Sequence, residues 1–206
     1  MTYLHEDRTI WVTGAASGIG KAAAEEILSE GGCVVGSDLP TADFSWAEGV
    51  DNMRCVTGSV SDVAHNSLAV ETAVSEFGHL DGAVLNAGMA GRIDLFDGDM
   101  EFFDEVMDVN VRAVILGIRA CASAMRPGSA ITVTASTSGM RGDPGMWVYN
   151  TSKAAVINLV RSTSMDLAAK GIRINAVCPG PTETGMTTRF EGEPYDDMKR
   201  RIPLQS

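Results

Sequence analysis

Short runs of β-branched and apolar residues recur along this chain, mostly separated by stretches long enough for a helix. That alternation constrains the fold more than any other feature. The runs are residues 9–12, residues 33–37, Met53–Thr57, Gly82–Leu85, Ala130–Thr134 and Arg173–Val177. Several are almost wholly apolar, as strands covered on both faces are. Helices are expected over residues 18–30, 63–77, 99–125 (in two segments) and 151–170. Gly31, Gly78 and Gly171 follow three of these stretches, where a left-handed C-terminal cap calls for glycine. Residues 40–52 are too short and broken a stretch for a helix. The expected fold class is α/β: a Rossmann-type, doubly wound parallel sheet of six strands in order 3-2-1-4-5-6. The 206 residues suffice for one core, and no repeat or linker divides them, so residues 1–206 read as a single domain.

Charge and cysteine usage narrow the function. The net charge is -11, a field that repels a nucleic-acid duplex or an anionic membrane surface. No uncharged apolar run approaches the roughly 20 residues of a membrane span, and residues 1–8 are charged without an apolar signal core. Cys33, Cys55, Cys121 and Cys178 lack the spacing of a zinc site and read as buried free thiols in a reducing compartment. The expectation is a cytoplasmic protein without metal, nucleic-acid or membrane partners. His5, His65 and His79 lie outside every motif and are expected on the surface.

Two local patterns carry chemistry. The first is Thr13-Gly14-Ala15-Ala16-Ser17-Gly18-Ile19-Gly20, a sharp turn between the first strand and the first helix. Gly14, Gly18 and Gly20 remove side chains where backbone must approach a pyrophosphate, and N–H groups at the helix start attract its charge. Ser17 and Ile19 belong to the same turn. Asp38 ends the second strand, about 20 residues beyond the glycines, where an acid accepts from a ribose 2′-hydroxyl and repels a 2′-phosphate. Lys21 is expected to point along the helix, away from this site. NAD is favoured over NADP.

The second pattern is Ser136 at the end of the fifth strand, followed by Tyr149 and Lys153. The last two are spaced i, i+4 and so share one helix face. A phenol has a pKa of about 10, and bringing it to about 7 takes roughly 4 kcal/mol of preferential phenolate stabilisation. Lys153 and a positive nicotinamide are suitable sources. Tyr149 then exchanges a proton with the substrate oxygen, and Ser136 holds that oxygen. Ser138 is a rival for the serine role, with the poorer spacing.

These residues together resemble the short-chain dehydrogenase/reductase family in its single-domain, NAD(P)-dependent form. The resemblance extends to Asn86-Ala87-Gly88 after the fourth strand, Asn110 within Val109-Asn110-Val111, the thirteen-residue step from Ser136 to Tyr149, and Pro179-Gly180-Pro181-Thr182-Glu183-Thr184 after the sixth strand. It implies that Asn110 supports a proton relay through water to Lys153, and that Asn86, Ala87 and Gly88 stabilise the sheet beside the cofactor. It implies further that Gly180 and Thr184 flank the nicotinamide, that Pro179 and Thr182 also bind the cofactor, and that Asp62 and Val63 touch adenine. Tyr149 and Lys153 also contact the cofactor in such proteins. Leu85 stands where many members carry a further asparagine.

The implied activity is NAD(H)-dependent interconversion of a secondary alcohol and a ketone. A non-catalytic NAD(H)-binding regulator or scaffold, and an NADP-dependent ketoreductase, are the alternatives. The resemblance also implies a homodimer or homotetramer formed through residues 104–125 and 151–170. Ala154, Ala155, Val156, Leu159 and Val160 give the second of these helices more apolar surface than one sheet face needs. Residues 185–200 are the expected substrate loop, and Met186, Phe190, Tyr195 and Met198 in it suggest an apolar or neutral ligand. Arg201-Ile202-Pro203-Leu204 resembles the stretch before a final helix and seventh strand, which are expected to be absent from this sequence.

Overall fold

A computed structural model describes residues 4–188 of the chain. Its strands are β1 (Thr9–Thr13), β2 (Cys33–Asp38), β3 (Met53–Thr57), β4 (Gly82–Leu85), β5 (Ala130–Thr134) and β6 (Arg173–Val177). They form one sheet in the order 3-2-1-4-5-6, with every neighbour parallel. This is the expected Rossmann-type architecture. β1 and β2 each run one residue further than the sequence suggests, to Thr13 and Asp38.

Side chains alternate between faces along a strand, and β1 shows both faces in use. Trp11 joins the larger core with Val35, Leu85, Ile131 and Val133. Ile10 and Val12 join a smaller core with Val34, Ala24 and Ile27. The larger core is roofed by α2 (Val63–Phe77), α4 (Ala113–Ala124) and α5 (Trp147–Ala168). The smaller is roofed by α1 (Gly18–Ser29), by Trp46 within a 3-10 turn at Ser45–Ala47, and by Phe44 just before it. Central β1 is buried throughout, whereas β6 exposes Arg173, Asn175 and Val177. Continuous apolar runs therefore belong to the central strands, and polar alternation marks the β6 edge.

The expected caps hold. Gly31, Gly78 and Gly171 have φ of 81°, 87° and 70°, and the Gly78 N–H closes α2 onto the Val74 carbonyl. The two segments expected over residues 99–125 are α3 (Met100–Met107) and α4, joined by a π-helical turn, Asp108–Arg112. Helix α5 begins at Trp147 rather than at residue 151. No local cap announces that start; Trp147 is set by stacking on Phe103 at 6.0 Å and by donating from Nε1 to the Ile93 carbonyl at 3.2 Å.

Two surface readings are corrected. All four cysteines are free thiols, but only Cys121 is buried; Cys55 is exposed, and Cys33 and Cys178 are half-buried. β3 is an edge strand, so its alternate residues face out. His65 is 6% exposed and belongs to the interior, because it occupies the inner face of the first turn of α2. No helix among the described residues is long and apolar enough to cross a membrane.

Candidate active site

The carboxyl ends of all six strands open into one cleft of about 620 Å³, where ligands bind in open α/β sheets. At its floor the chain leaves β1 through Gly14 and Gly18, both at positive φ (67° and 55°). A Cβ on Gly20 would collide with the Gly14 carbonyl oxygen, so Gly20 shapes the turn from beneath rather than lining the cleft. No side chain caps the start of α1 at Ser17. Its first-turn N–H groups are thus left to a ligand, and the helix dipole favours an anionic one. The glycine cradle and open helix start fit a dinucleotide pyrophosphate. Gly14, Ser17, Gly18 and Ile19 all face the cleft.

One end of the cleft lies between β2 and β3. The Asp38 carboxylate accepts from Ala16 N–H at 3.0 Å and from Leu39 N–H at 2.8 Å, which fixes it at the cleft wall. Facing the same space are residues 58–61, and the Gly58 N–H donates to the Asp38 carbonyl at 2.9 Å. Asp62 and Val63 do not line the cleft. Asp62 caps α2, accepting from Ala64 N–H at 2.9 Å, and Val63 is 59% exposed. The wall of the cleft at this end is formed by Gly58, Ser59, Val60 and Ser61. Lys21 is directed away, as expected, toward Glu25 (3.7 Å) and over the Trp46 ring. Among the described lining residues Lys153 is the sole Lys or Arg.

The middle of the cleft is clasped by Thr13 and Asn86. The Thr13 hydroxyl accepts from Asn86 N–H (2.8 Å) and Ala87 N–H (2.9 Å), and the Asn86 side-chain amide donates to the Thr13 carbonyl (3.1 Å). These bonds lock β4 onto β1, with Asn86, Ala87 and Gly88 on the cleft surface. A Cβ on Gly88 would press on Asn110 Oδ1 at 3.1 Å and Lys153 Nζ at 3.3 Å.

The other end, over β5, holds Ser136, Tyr149 and Lys153 together. Ser136 caps a 3-10 turn, Thr137–Gly139, and its Oγ accepts from Ser138 N–H at 3.1 Å. Its hydroxyl lies near Tyr149 and favours the phenolate, but burial outweighs that and holds the phenol above its ordinary value, with Asp143 adding to the rise. Ser138 spends its backbone on holding Ser136, and does not line the cleft. Gly139 lets this turn sit on α5, since a Cβ there would meet the Lys153 carbonyl carbon at 2.6 Å.

Lys153 is 5% exposed and donates from Nζ to the Thr134 carbonyl at 2.8 Å. Burial lowers its pKa to about 8. Its Nζ lies 5.8 Å from the centre of the Tyr149 ring. A buried cation beside a half-buried phenol is the environment that the i, i+4 spacing anticipates.

Asn110 sits in the π-helical turn, fully buried and behind the cleft surface. Its Oδ1 accepts from Met89 N–H at 2.8 Å, and its amide donates to the Met89 carbonyl and to Ser152 Oγ, both at 2.9 Å. All of its side chain is thereby engaged in tying the loop after β4 to the helix carrying Tyr149 and Lys153.

After β6, Pro179, Gly180, Thr182 and Thr184 line the cleft as expected. Thr187 Oγ1 bonds to the carbonyls of Thr182 (2.8 Å) and Thr184 (2.9 Å), drawing the loop into a short helix, α6 (Gly185–Thr188). Met186 faces the cleft; Phe190, Tyr195 and Met198, and the stretch from Arg201 to Leu204, lie outside the described residues. The sequence reading did not find Met89, residues 58–61 or Ser152. Met89 and Ser152 adjoin recognised motifs, which is the signal they offered.

Comparison with known proteins agrees with this geometry. A family model described as enoyl-(acyl carrier protein) reductase matches residues 14–206. The chain is 38% identical to 2-(R)-hydroxypropyl-CoM dehydrogenase of Xanthobacter autotrophicus, covering 95% of this chain and 84% of that protein. It is 33% identical to a 3-oxoacyl-(acyl-carrier-protein) reductase of Thermotoga maritima, covering 97% and 84%. A short-chain dehydrogenase from Burkholderia cenocepacia, solved in complex with NADP, superposes with a TM-score of 0.90 at 31% identity, over 98% of this chain and 84% of that one. With the matched family, the parallel sheet and the cleft in agreement, the chain belongs to the short-chain dehydrogenase/reductase family of oxidoreductases.

Proposed function

We propose that this chain interconverts a secondary alcohol and a ketone, using NAD(H) and Tyr149 as the acid/base. One observation carries the reading. Ser136, Tyr149 and Lys153 are in mutual reach at one end of a cleft whose other end presents a glycine cradle and Asp38. The relatives' names fit the same chemistry: one oxidises a hydroxypropyl group, another reduces a 3-oxoacyl group.

When bound, NAD+ supplies the hydride acceptor and a positive ring. The residues of the chain do the rest. In the unliganded protein the Tyr149 phenol carries its proton at neutral pH, since its ordinary pKa is about 10 and burial moves it further up. That form donates its proton to the oxygen of a ketone as reduction proceeds. In oxidation Lys153 and Ser136 stabilise the charge of the phenolate, which then takes the alcohol proton and becomes neutral. Ser136 holds the substrate oxygen beside Tyr149. Asn110 acts as a positioning residue: with its side chain engaged by Met89 and Ser152, it fixes α5 against the loop after β4.

The preference for NAD rests on charge. Asp38 stands at the β2 end, and the sole Lys or Arg of the described wall, Lys153, lies at the other. A 2′-phosphate there meets a carboxylate and no cation. Assembly as a dimer through the outer faces of α4 and α5 accords with the exposed Ile115 and Met165; a monomer by light scattering at micromolar concentration would contradict it.

The test is a fluorescence titration of the purified chain with NADH and with NADPH, followed by a screen of secondary alcohols. Saturable binding that favours NADH, with turnover of an alcohol, supports the proposal. Tighter binding of NADPH removes the cofactor assignment, and binding without turnover of any alcohol leaves a non-catalytic nucleotide-binding protein.

A further inference from the structure

The wall formed by residues 58–61 has a built support beneath it. Two residues on the first turn of α2 supply it. His65 is 6% exposed, and its ring fills the space under Gly58, so closely that a Cβ on Gly58 would collide with His65 Nδ1. Asn66 is 2% exposed, and its amide donates to the Val60 carbonyl at 2.7 Å and the Asp62 carbonyl at 2.6 Å. Above them the Gly58 N–H reaches the Asp38 carbonyl at 2.9 Å. One polar unit thus joins the carboxylate end of β2 to the wall that faces it.

Hydrogen-bonding capacity is also left over at this place. His65 Nε2, Asn66 Oδ1 and Ser61 Oγ are all buried without a partner. A polar atom buried without a partner is destabilising, so an apolar filler would support the wall at less cost. Groups retained at such a cost point to a role in the site they adjoin.

We infer that His65 and Asn66 are positioning residues for the adenosine half of the cofactor: they set the 58–61 wall at the separation from Asp38 that grips adenosine. The inference rests on the NAD(H) reading proposed above. Neither residue lines the cleft; both act through the backbone they hold. Glycine at 58 follows from the same arrangement, since the imidazole takes the volume of its side chain.

The experiment compares NADH with reduced nicotinamide mononucleotide, which lacks adenosine, by fluorescence titration of the full chain and of His65→Ala and Asn66→Leu. Each substitution weakens NADH binding about tenfold and leaves the mononucleotide unchanged, because only the adenosine grip is loosened. A double variant, His65→Ala with Gly58→Ala, provides the rescue. The added methyl enters the vacated space and recovers part of the NADH affinity, whereas Gly58→Ala alone loses affinity against the intact ring.

Unchanged NADH affinity in both single variants overturns the inference. So does equal weakening of NADH and mononucleotide in both, which marks a general structural role. If the unsubstituted chain binds neither nucleotide, the cofactor reading itself fails, an outcome distinct from either.

Discussion

The half of the cleft carried by β1–β3 is made chiefly of backbone, whereas the half carried by β4–β6 is made of buried side chains. In the first, Gly14 and Gly18 turn the chain through positive φ, the start of α1 is left uncapped, and residues 58–61 present a wall with no charged side chain. In the second, Lys153, Asn110 and Ser136 are each at most 8% exposed, and hydrogen bonds interlock them with Thr134, Met89, Ser152 and Ser138. Backbone N–H groups and helix dipoles suit a bound anion, whose charge stays constant through a reaction. A half-buried phenol and a buried ammonium suit a proton that must move, since low dielectric makes their titration sensitive to neighbours. Changes in the first half should therefore cost affinity, and changes in the second should cost rate.

Tyr149→Phe tests the second half most sharply. Turnover should fall by about 10²–10⁴-fold with NADH affinity within about twofold of the parent, measured by steady-state kinetics and fluorescence titration. Retained turnover would break the contrast at its strongest point.

Gly20→Ala is the converse. Its Cβ meets the Gly14 carbonyl, so NADH binding should be lost or greatly weakened, and stability should drop by about 1–3 kcal/mol in denaturant melts. Wild-type affinity in that variant would show that the turn does not hold the cofactor.

Lys153→Met separates stability from rate. Burial holds the ammonium down to about 8 from an ordinary 10.5, a cost of about 3 kcal/mol in the unliganded protein at neutral pH. The sign follows from proton counts. Between about pH 8 and 10.5 the unfolded chain binds more protons at this residue, so its contribution to stability is fully present above that window and is lost as pH falls through about 8. Lys153→Met should lose turnover yet melt a few degrees higher at pH 7, and should lack the pH-dependent gain between about 8 and 10. A lower melting temperature at pH 7 would mean that the Thr134 bond outweighs burial.

The smallest effect is expected at Asp38. Asp38→Asn keeps the shape but removes the charge, and should move the NADH/NADPH preference toward NADPH by about tenfold. An unchanged ratio would place discrimination elsewhere in the cleft.

Much of this was legible in one dimension. Residues such as Trp11, Val12, Val34 and Val35 are apolar because both faces of their strands are covered, so the strands and their parallel, doubly wound arrangement followed from periodicity, and Gly14, Asp38, Tyr149 and Lys153 stood out by spacing. Where burial depended on distant packing, the reading slipped. Asp62 resembles an adenine contact in sequence, and the fold also makes it the cap of α2, because the first N–H groups of a helix need an acceptor and Asp62 is placed to give one. His65 carries no motif; only the docking of α2 turns it inward. Trp147 starts α5 through contacts with Phe103 and Ile93, which are 44 and 54 residues away in the chain, and no local cap foretold them.

By itself the sequence determined the parallel sheet, the glycine turn and the family's ordered motifs, since periodicity, glycine's freedom at positive φ and i, i+4 spacing are local properties of a chain. The tertiary structure alone decided that Asn110 braces Met89 against Ser152, that residues 58–61 rather than Asp62 and Val63 face Asp38, and that Lys153 is buried enough to titrate near 8. Those depend on which distant segments pack together, and burial and hydrogen-bond partnership are set by that packing.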